Sequence, residues 1–207
     1  MLRSLIAAFA VTVFWAFSGT ATPINGQLAP EFTGKTMTGE VISLEQYRGK
    51  PVVLEWTNHE CPYVRKHYRS GNMQRTQRKL TEEGVTWISI VSSAPGKQGY
   101  VDADEAQRLT ATRGSYADVV LLDPEGKIGR LYEAKTTPHM FLIDEDGMLL
   151  YQGAIDDKPS ANPKSLDGAE NYLLSAWTET SEGQTVSKAQ TKPYGCSIKY
   201  GNIAGFK

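Results

Sequence analysis

Val52-Val53-Leu54-Glu55-Trp56-Thr57-Asn58-His59-Glu60-Cys61-Pro62 divides into a nearly continuous apolar run, a short polar loop, and a cysteine followed by proline. The apolar run predicts a strand covered on both faces. Pro62 suits the first position of a helix, where its missing N–H would have no partner anyway. Downstream, Tyr63, Val64, His67 and Tyr68 fall on one side of a helix spanning Pro62 to Glu83. Cys61 therefore stands at a helix N-terminus, where unpaired backbone N–H groups and the positive end of the helix dipole favour the thiolate. The thiolate attacks disulfides and peroxides, so this stretch points to a redox protein built around one cysteine, provided that the sulfur is reachable.

Working outward, Ser70-Gly71-Asn72 is expected to kink or interrupt the helix, and Gly84 to end it. Val85 to Val91 is the next strand, completing a β-α-β unit with a right-handed crossover. A loop from Ser92 to Tyr100 leads to a helix from Asp102 to Arg113 with Asp102 as its cap. Val119 to Leu122 reads as a short buried strand and Pro124 to Tyr132 as a short helix or turn. His139 to Ile143 and Met148 to Gly153 flank Asp144-Glu145-Asp146-Gly147 as a hairpin. Ser165 to Thr180 is the last expected helix. Upstream, the turn-rich piece from Pro30 to Lys50 predicts a small hairpin or strand leading into the domain. The order is mixed α/β with one crossover and a closing hairpin.

The first residues read as an export signal: Arg3, an apolar stretch from Leu5 to Phe17, then Ser18, Gly19, Thr20 and Ala21. Residues 1–21 are expected to be removed after Ala21, leaving 22–207 as one domain, exported to the periplasm or secreted, without stable membrane association. A retained anchor is the alternative, although the apolar stretch falls short of the ~20 residues that span a bilayer. With 22 basic and 23 acidic side chains the chain is close to neutral and has no basic patch, which excludes nucleic acid as an expected partner.

Of the two cysteines, Cys61 and Cys196, the second lies in Lys192-Pro193-Tyr194-Gly195-Cys196-Ser197, within a tail of residues 184–207 that is expected to be mobile. Mobility suits a resolving thiol. A Cys61–Cys196 bond would close a loop of roughly 135 residues and constrain the unfolded chain by about 5 kcal/mol on the entropic model, so a purely structural staple competes with a redox pair.

A strand ending just before a helix-starting Cys61-Pro62, with Thr136-Thr137-Pro138 immediately ahead of a hairpin strand, resembles the thioredoxin-like superfamily. Within it the chain is similar to the redoxin branch, which includes peroxiredoxin-like (alkyl hydroperoxide reductase/thiol-specific antioxidant) and TlpA-like proteins. Asn58-His59-Glu60-Cys61-Pro62-Tyr63-Val64, Tyr151-Gln152-Gly153-Ala154-Ile155-Asp156-Asp157 and Tyr194-Gly195-Cys196-Ser197-Ile198-Lys199-Tyr200 resemble a peroxiredoxin-like subfamily. The resemblance implies a thioredoxin-like α/β fold, a central mixed sheet flanked by helices. It also implies that Pro138 is a cis proline against the active cysteine, and that Thr137 offers its backbone to an incoming peptide or thiol. Two departures stand out. Val64 and Asn58, three residues to either side of Cys61, leave no Cys-x-x-Cys, so a catalytic cycle needs Cys196 or an external thiol. Leu54 and Asn58 replace the proline and threonine of the peroxiredoxin motif Pro-x-x-x-Thr-x-x-Cys, which weakens the expectation of peroxidase activity.

Glu55 stands where many thioredoxins carry a buried acid, and desolvation would raise its pKa toward a general-base range; the alternative is a structural pair with Arg65, Lys66 or another cation. Arg65, one helical turn beyond Cys61, and His59, His67 and His139 are candidate assisting groups, while Glu60 opposes a second negative charge. Cys61, Cys196, His59 and His139 have donor atoms for copper or zinc, but their spacing supports no metal site, and no cofactor is expected. Three functions follow. The leading one is an exported thiol-dependent oxidoreductase in which Cys61 attacks a peroxide or a protein disulfide, Cys196 resolves the product, and an external thiol reopens the bond. The others are a non-catalytic module with a structural disulfide and a copper chaperone.

Overall fold

The computed structural model describes residues 22–202. The signal-peptide reading of 1–21 lies outside the described residues.

Seven strands form one mixed sheet: β1 (Thr33–Thr36), β2 (Val41–Ser43), β3 (Val52–Trp56), β4 (Thr86–Val91), β5 (Val119–Leu122), β7 (His139–Ile143) and β8 (Leu149–Gly153), in the spatial order β2-β1-β5-β4-β3-β7-β8. At its centre β3 runs parallel to β4 and antiparallel to β7, with Leu54 opposite Ile88 on one side and Phe141 on the other. All five residues of β3 are buried, as a strand with a layer on both faces requires. The expected N-terminal hairpin is β1–β2, and it extends the sheet by pairing β1 antiparallel to β5.

Period-two alternation sends Leu54, Trp56, Ile88, Ile90, Phe141 and Ile143 into one core, where Trp56 packs against Tyr132 and Phe141 at centroid distances of 5.4 and 5.1 Å. Val53, Trp87, Met140, Leu142 and Tyr151 face the other way and pack with Cys61, Val64 and Leu173.

The helical segment after Cys61 is two helices, α1 (Pro62–Arg69) and α2 (Asn72–Glu82). Gly71 joins them at φ 72°, a left-handed conformation that glycine adopts without steric cost. α3 (Ala103–Thr112) is capped as expected, the Asp102 carboxylate accepting from Glu105 N at 2.9 Å. α4 (Lys127–Leu131) is the short helix expected after Pro124.

The last helix departs from expectation. It begins only at Tyr172 as α5 (Tyr172–Ser181), with Asn171 accepting from Leu174 N. Asp167-Gly168 breaks the predicted run, Gly168 at φ 67°, and only a 3-10 turn over Pro163–Leu166 precedes it. Amphipathic spacing alone does not register such a break.

The tail also departs from expectation. Instead of hanging free, it returns across the molecule: Cys196–Ser197 forms β9, antiparallel to β6 (Thr136–Thr137), the two residues that precede Pro138. Ile198 is buried in the Trp56 core, Ile198 N donates to Lys135 O at 3.1 Å, and Tyr200 Oη donates to Ala134 O at 2.8 Å. Proline and glycine content suggested mobility, but long-range hydrogen bonds decide it. No helix of the described residues is long and apolar enough to cross a membrane.

Candidate active site

Cys61 is the N-cap of α1, with extended backbone, and Pro62 follows at the first helical position. Its sulfur therefore sits beside the opening turn of the helix, with no capping hydrogen bond from the side chain. The peptide bond between Thr137 and Pro138 is cis, and Cys61 Sγ lies 3.1 Å from the Thr137 carbonyl oxygen.

Pairing β9 with β6 sets Cys196 opposite Thr137, the residue whose carbonyl oxygen Cys61 Sγ touches, which makes the two thiols neighbours. Both cysteines are free thiols here. Burial by itself pushes the Cys61 thiol up, but polar contacts with Cys196 and Thr137 and the Val64 and Cys196 N–H groups carry it below the ordinary value of 9.0. Cys196 moves the other way. Burial and its contact with a negatively charged Cys61 push it up to about 12. Of the two thiols, Cys61 at the helix start is therefore the first to lose its proton and Cys196 on the tail the last.

One expectation is overturned. The sequence places Cys61 at an accessible helix start, whereas its side chain is wholly buried (0 % exposed). Cys196 of β9 packs against the buried cluster that holds Cys61.

Glu55 is fully buried on the α1/α2 side of β3. Its carboxyl accepts from Tyr68 Oη (3.1 Å), Trp87 Nε1 (2.9 Å), Ser89 Oγ (3.0 Å) and Gln77 Nε2 (3.2 Å). Desolvation raises its pKa, and these donors only partly offset it. The alternative of a cation pair with Lys66 is corrected: Lys66 turns to Asp156 at 3.5 Å. Beside Glu55, a small cavity of about 40 Å³ is lined by Thr57, Tyr68, Ser89, His59 and Arg113, room for a water or two.

The assisting candidates do not converge on the sulfur. Arg65 is exposed and lines a surface cleft with His59, Glu60, Arg69 and Arg113. Burial and Arg113 lower the pKa of His59. His139 stacks on Phe141 at 4.5 Å, on the face of β7 opposite Met140 and Leu142, which pack with Cys61. Burial pulls its pKa down to about 3, so it is neutral, and its Nδ1 accepts from Lys135 N at 3.4 Å. His139 therefore lies away from Cys61, contrary to expectation, because alternation along β7 gives it the other face. Among the described residues no three His, Cys, Asp or Glu side chains cluster to hold a metal ion.

Sequence reasoning named His67 as a candidate assisting group and Lys66 as a partner for Glu55, but missed Asp156 and Tyr194, with which both meet in a buried polar nest near the cysteine pair. Asp156 and Tyr194 stood in motifs that marked the resemblance, but nothing in their spacing shows that residues 38 apart share a hydrogen bond.

Among known proteins, the chain is 24% identical over 148 residues to "Thioredoxin-like protein YneN" of Bacillus subtilis, covering 69% of this chain and 80% of that one. It is 28% identical over 130 residues to "Thiol-disulfide oxidoreductase ResA" of Bacillus thuringiensis, covering 61% and 68% respectively. In fold it is similar to an uncharacterized conserved protein of Geobacillus kaustophilus (TM-score 0.75, 24% identity, 87% of this chain and 94% of that one). A hypothetical protein of Sinorhizobium meliloti is similar to the same degree (TM-score 0.73, 22% identity, 88% and 96%). The fold is thioredoxin-like, and since residues 25–152 match the model of the AhpC/TSA family, the chain belongs to that family.

Proposed function

We propose that this protein is an exported thiol–disulfide oxidoreductase in which the Cys61 thiolate attacks a disulfide of an extended polypeptide and Cys196 resolves the product. The observation that carries this reading is the placement of Cys196, by strand pairing with Thr137, beside a helix-N-terminal cysteine whose sulfur touches the Thr137 carbonyl. The oxidoreductase activity named for the Bacillus thuringiensis relative supports it, and the leader-like residues 1–21 support export.

The cycle begins when β9 lifts from β6 and a substrate strand takes its place on the Thr137 backbone, ahead of Pro138. Cys61 S⁻ attacks one sulfur of the substrate disulfide, forming a Cys61–substrate bond and expelling the other sulfur as a thiolate. Cys196 then loses its proton and attacks the Cys61 sulfur, releasing the second substrate thiolate and leaving a Cys61–Cys196 disulfide. An external thiol supplies the two electrons that reopen it. The order of events is built into the pair. After burial, contact with ionised Cys61 is what holds Cys196 protonated, and that contribution vanishes once Cys61 is bonded to substrate. Glu55, a buried acid with a raised pKa near this face of β3, serves as the proton store.

A peptide disulfide fits better than a peroxide. Asn58 holds the position of the peroxide-orienting threonine, yet its side chain is tied to the loop, Oδ1 accepting from Glu60 N (2.9 Å) and Nδ2 donating to Gln98 O (3.4 Å). Reduction of a model peptide disulfide and of hydrogen peroxide, each compared with Cys61→Ser, tests the assignment. Disulfide turnover lost in the variant supports it; equal rates for wild type and variant on the disulfide overturn it.

A further inference from the structure

Two residues ahead of Cys196, the chain is gripped by the body of the protein. Tyr194 Oη accepts from Lys66 Nζ at 3.1 Å and donates to Asp156 Oδ1. His67 Nε2 lies 3.3 Å away, and because His67 Nδ1 takes a hydrogen bond from the Asn72 amide at 2.8 Å, it is Nε2 that carries the proton and donates to the phenol. The phenol thus has three partners, two donors and one acceptor. All three belong to buried side chains: those of Lys66 and His67 are fully buried and that of Asp156 almost so. Around the hydroxyl, the Tyr194 ring packs edge-on against Tyr63 at 5.8 Å and receives Lys66 Nζ at 5.1 Å from its centroid.

Lys66 and His67 sit on α1, the helix whose N-cap is Cys61. One rigid element therefore holds both the nucleophilic sulfur and the grip on the tail. Only Gly195 separates Tyr194 from Cys196, so the two Cα atoms can be at most ~7 Å apart. Gly195, at φ 134°, passes so near the Thr137 carbonyl that no side chain fits. Beyond Cys196, the Ile198 and Tyr200 contacts form a second anchor. Asp156 Oδ2 has no hydrogen bond of its own and meets Lys66 Nζ only in a long ion pair at 3.5 Å, and the one hydrogen bond of Lys66 Nζ besides the phenol goes to Lys158 O, so withdrawal of Tyr194 leaves buried charge poorly served.

We propose that Tyr194 is a positioning residue for the exchange between Cys61 and Cys196: the Lys66–His67–Asp156 nest grips its phenol and so holds the Cys196 sulfur against Cys61. The proposal rests on the reading of the two cysteines as an exchanging pair. In that exchange the Cys196 thiol loses its proton, its sulfur bonds to Cys61, and the group disulfide-bonded to Cys61 leaves as a thiol.

The test equilibrates full-length protein with glutathione and glutathione disulfide, quenches with acid, and resolves the internal disulfide from the Cys61–glutathione adduct by mass spectrometry. The ratio gives the effective concentration of Cys196 at Cys61. Tyr194→Phe, which removes only the hydroxyl, is expected to lower it about tenfold, while dithiothreitol reduces the Cys61–glutathione adduct at an undiminished rate in the same variant. A merely structural role would shift the melting temperature without this split. Asp156→Asn attacks the grip from the other side, and the same loss is expected there should Tyr194→Phe not fold. An unchanged effective concentration in whichever of the two folds overturns the positioning role and leaves the exchange standing. A wild-type protein that forms no internal disulfide overturns the exchange, and the positioning role with it.

Discussion

Gly195 passes so close to Thr137 that a β-carbon on the glycine would overlap the Thr137 carbonyl oxygen. That closeness keeps β9 flat on β6 and Cys61 under cover. Gly195→Ala is therefore expected to lift the strand and to raise the rate of Cys61 alkylation by iodoacetamide at least about tenfold, since neither the Thr137 carbonyl nor the positive φ of this position accommodates the methyl group. An equal rate in wild type and variant, measured by mass spectrometry of quenched samples, would show that β9 does not gate the sulfur.

The two thiols titrate on opposite sides of the ordinary value, and the sign of each contribution to stability follows. Cys61, depressed below 9.0, favours folding increasingly as pH rises from its folded pKa to 9.0, because the unfolded chain still binds a proton that the folded chain has lost. Cys196, raised to about 12, favours folding below 9.0 and loses that advantage as pH climbs from 9.0 toward 12. Under reducing conditions, the stability of wild type relative to a Cys61→Ala/Cys196→Ala double variant should peak near pH 9. Urea titrations at several pH values check this, and a monotonic difference would show that the two thiols are not shifted to opposite sides of the ordinary value.

Glu55 is a buried acid that folding prefers protonated, since burial is the largest influence on it. Its contribution is fully present below 4.5 and declines as pH rises toward the folded pKa. Glu55→Gln should consequently gain stability relative to wild type as pH is raised above 4.5. Glu55→Ala should lose roughly 2–4 kcal/mol, because Trp87, Ser89, Gln77 and Tyr68 would be left without their shared acceptor. Denaturant melts of both variants at pH 5 and pH 8 separate the two effects.

Asp123 ties the start of α4 to the sheet, accepting from Ser92 Oγ at 2.6 Å, Gly129 N at 2.9 Å and Ile128 N at 3.3 Å, while Ser92 in turn accepts from Trp56 Nε1 at 3.0 Å. Removing the carboxylate strands three donors in a buried setting. Asp123→Ala should cost roughly 2–3 kcal/mol, and Asp123→Asn should recover more than half of it by restoring one acceptor. Thermal melts of the two variants provide the check.

The sequence by itself determined the strand before Cys61, the proline-started helix after it, the Gly71 interruption, the Asp102 cap and the hairpin from His139 to Gly153. Each is written in local terms, through alternation, cap chemistry and positive-φ glycine, and so survives without knowledge of neighbours. The helix start at Cys61 and the placement of Glu55 in a strand buried on both faces were legible for the same reason. Tertiary structure alone decided the rest. Only the folded chain turns His139 away from Cys61, draws Lys66 to Asp156 rather than Glu55, and lays a tail rich in turn residues across β6, so that a thiol at an exposed-looking helix start ends fully buried. These outcomes depend on contacts between segments as far apart as Lys66 and Tyr194, 128 residues, where hydrogen bonding and burial are set by three-dimensional packing that local periodicity does not encode.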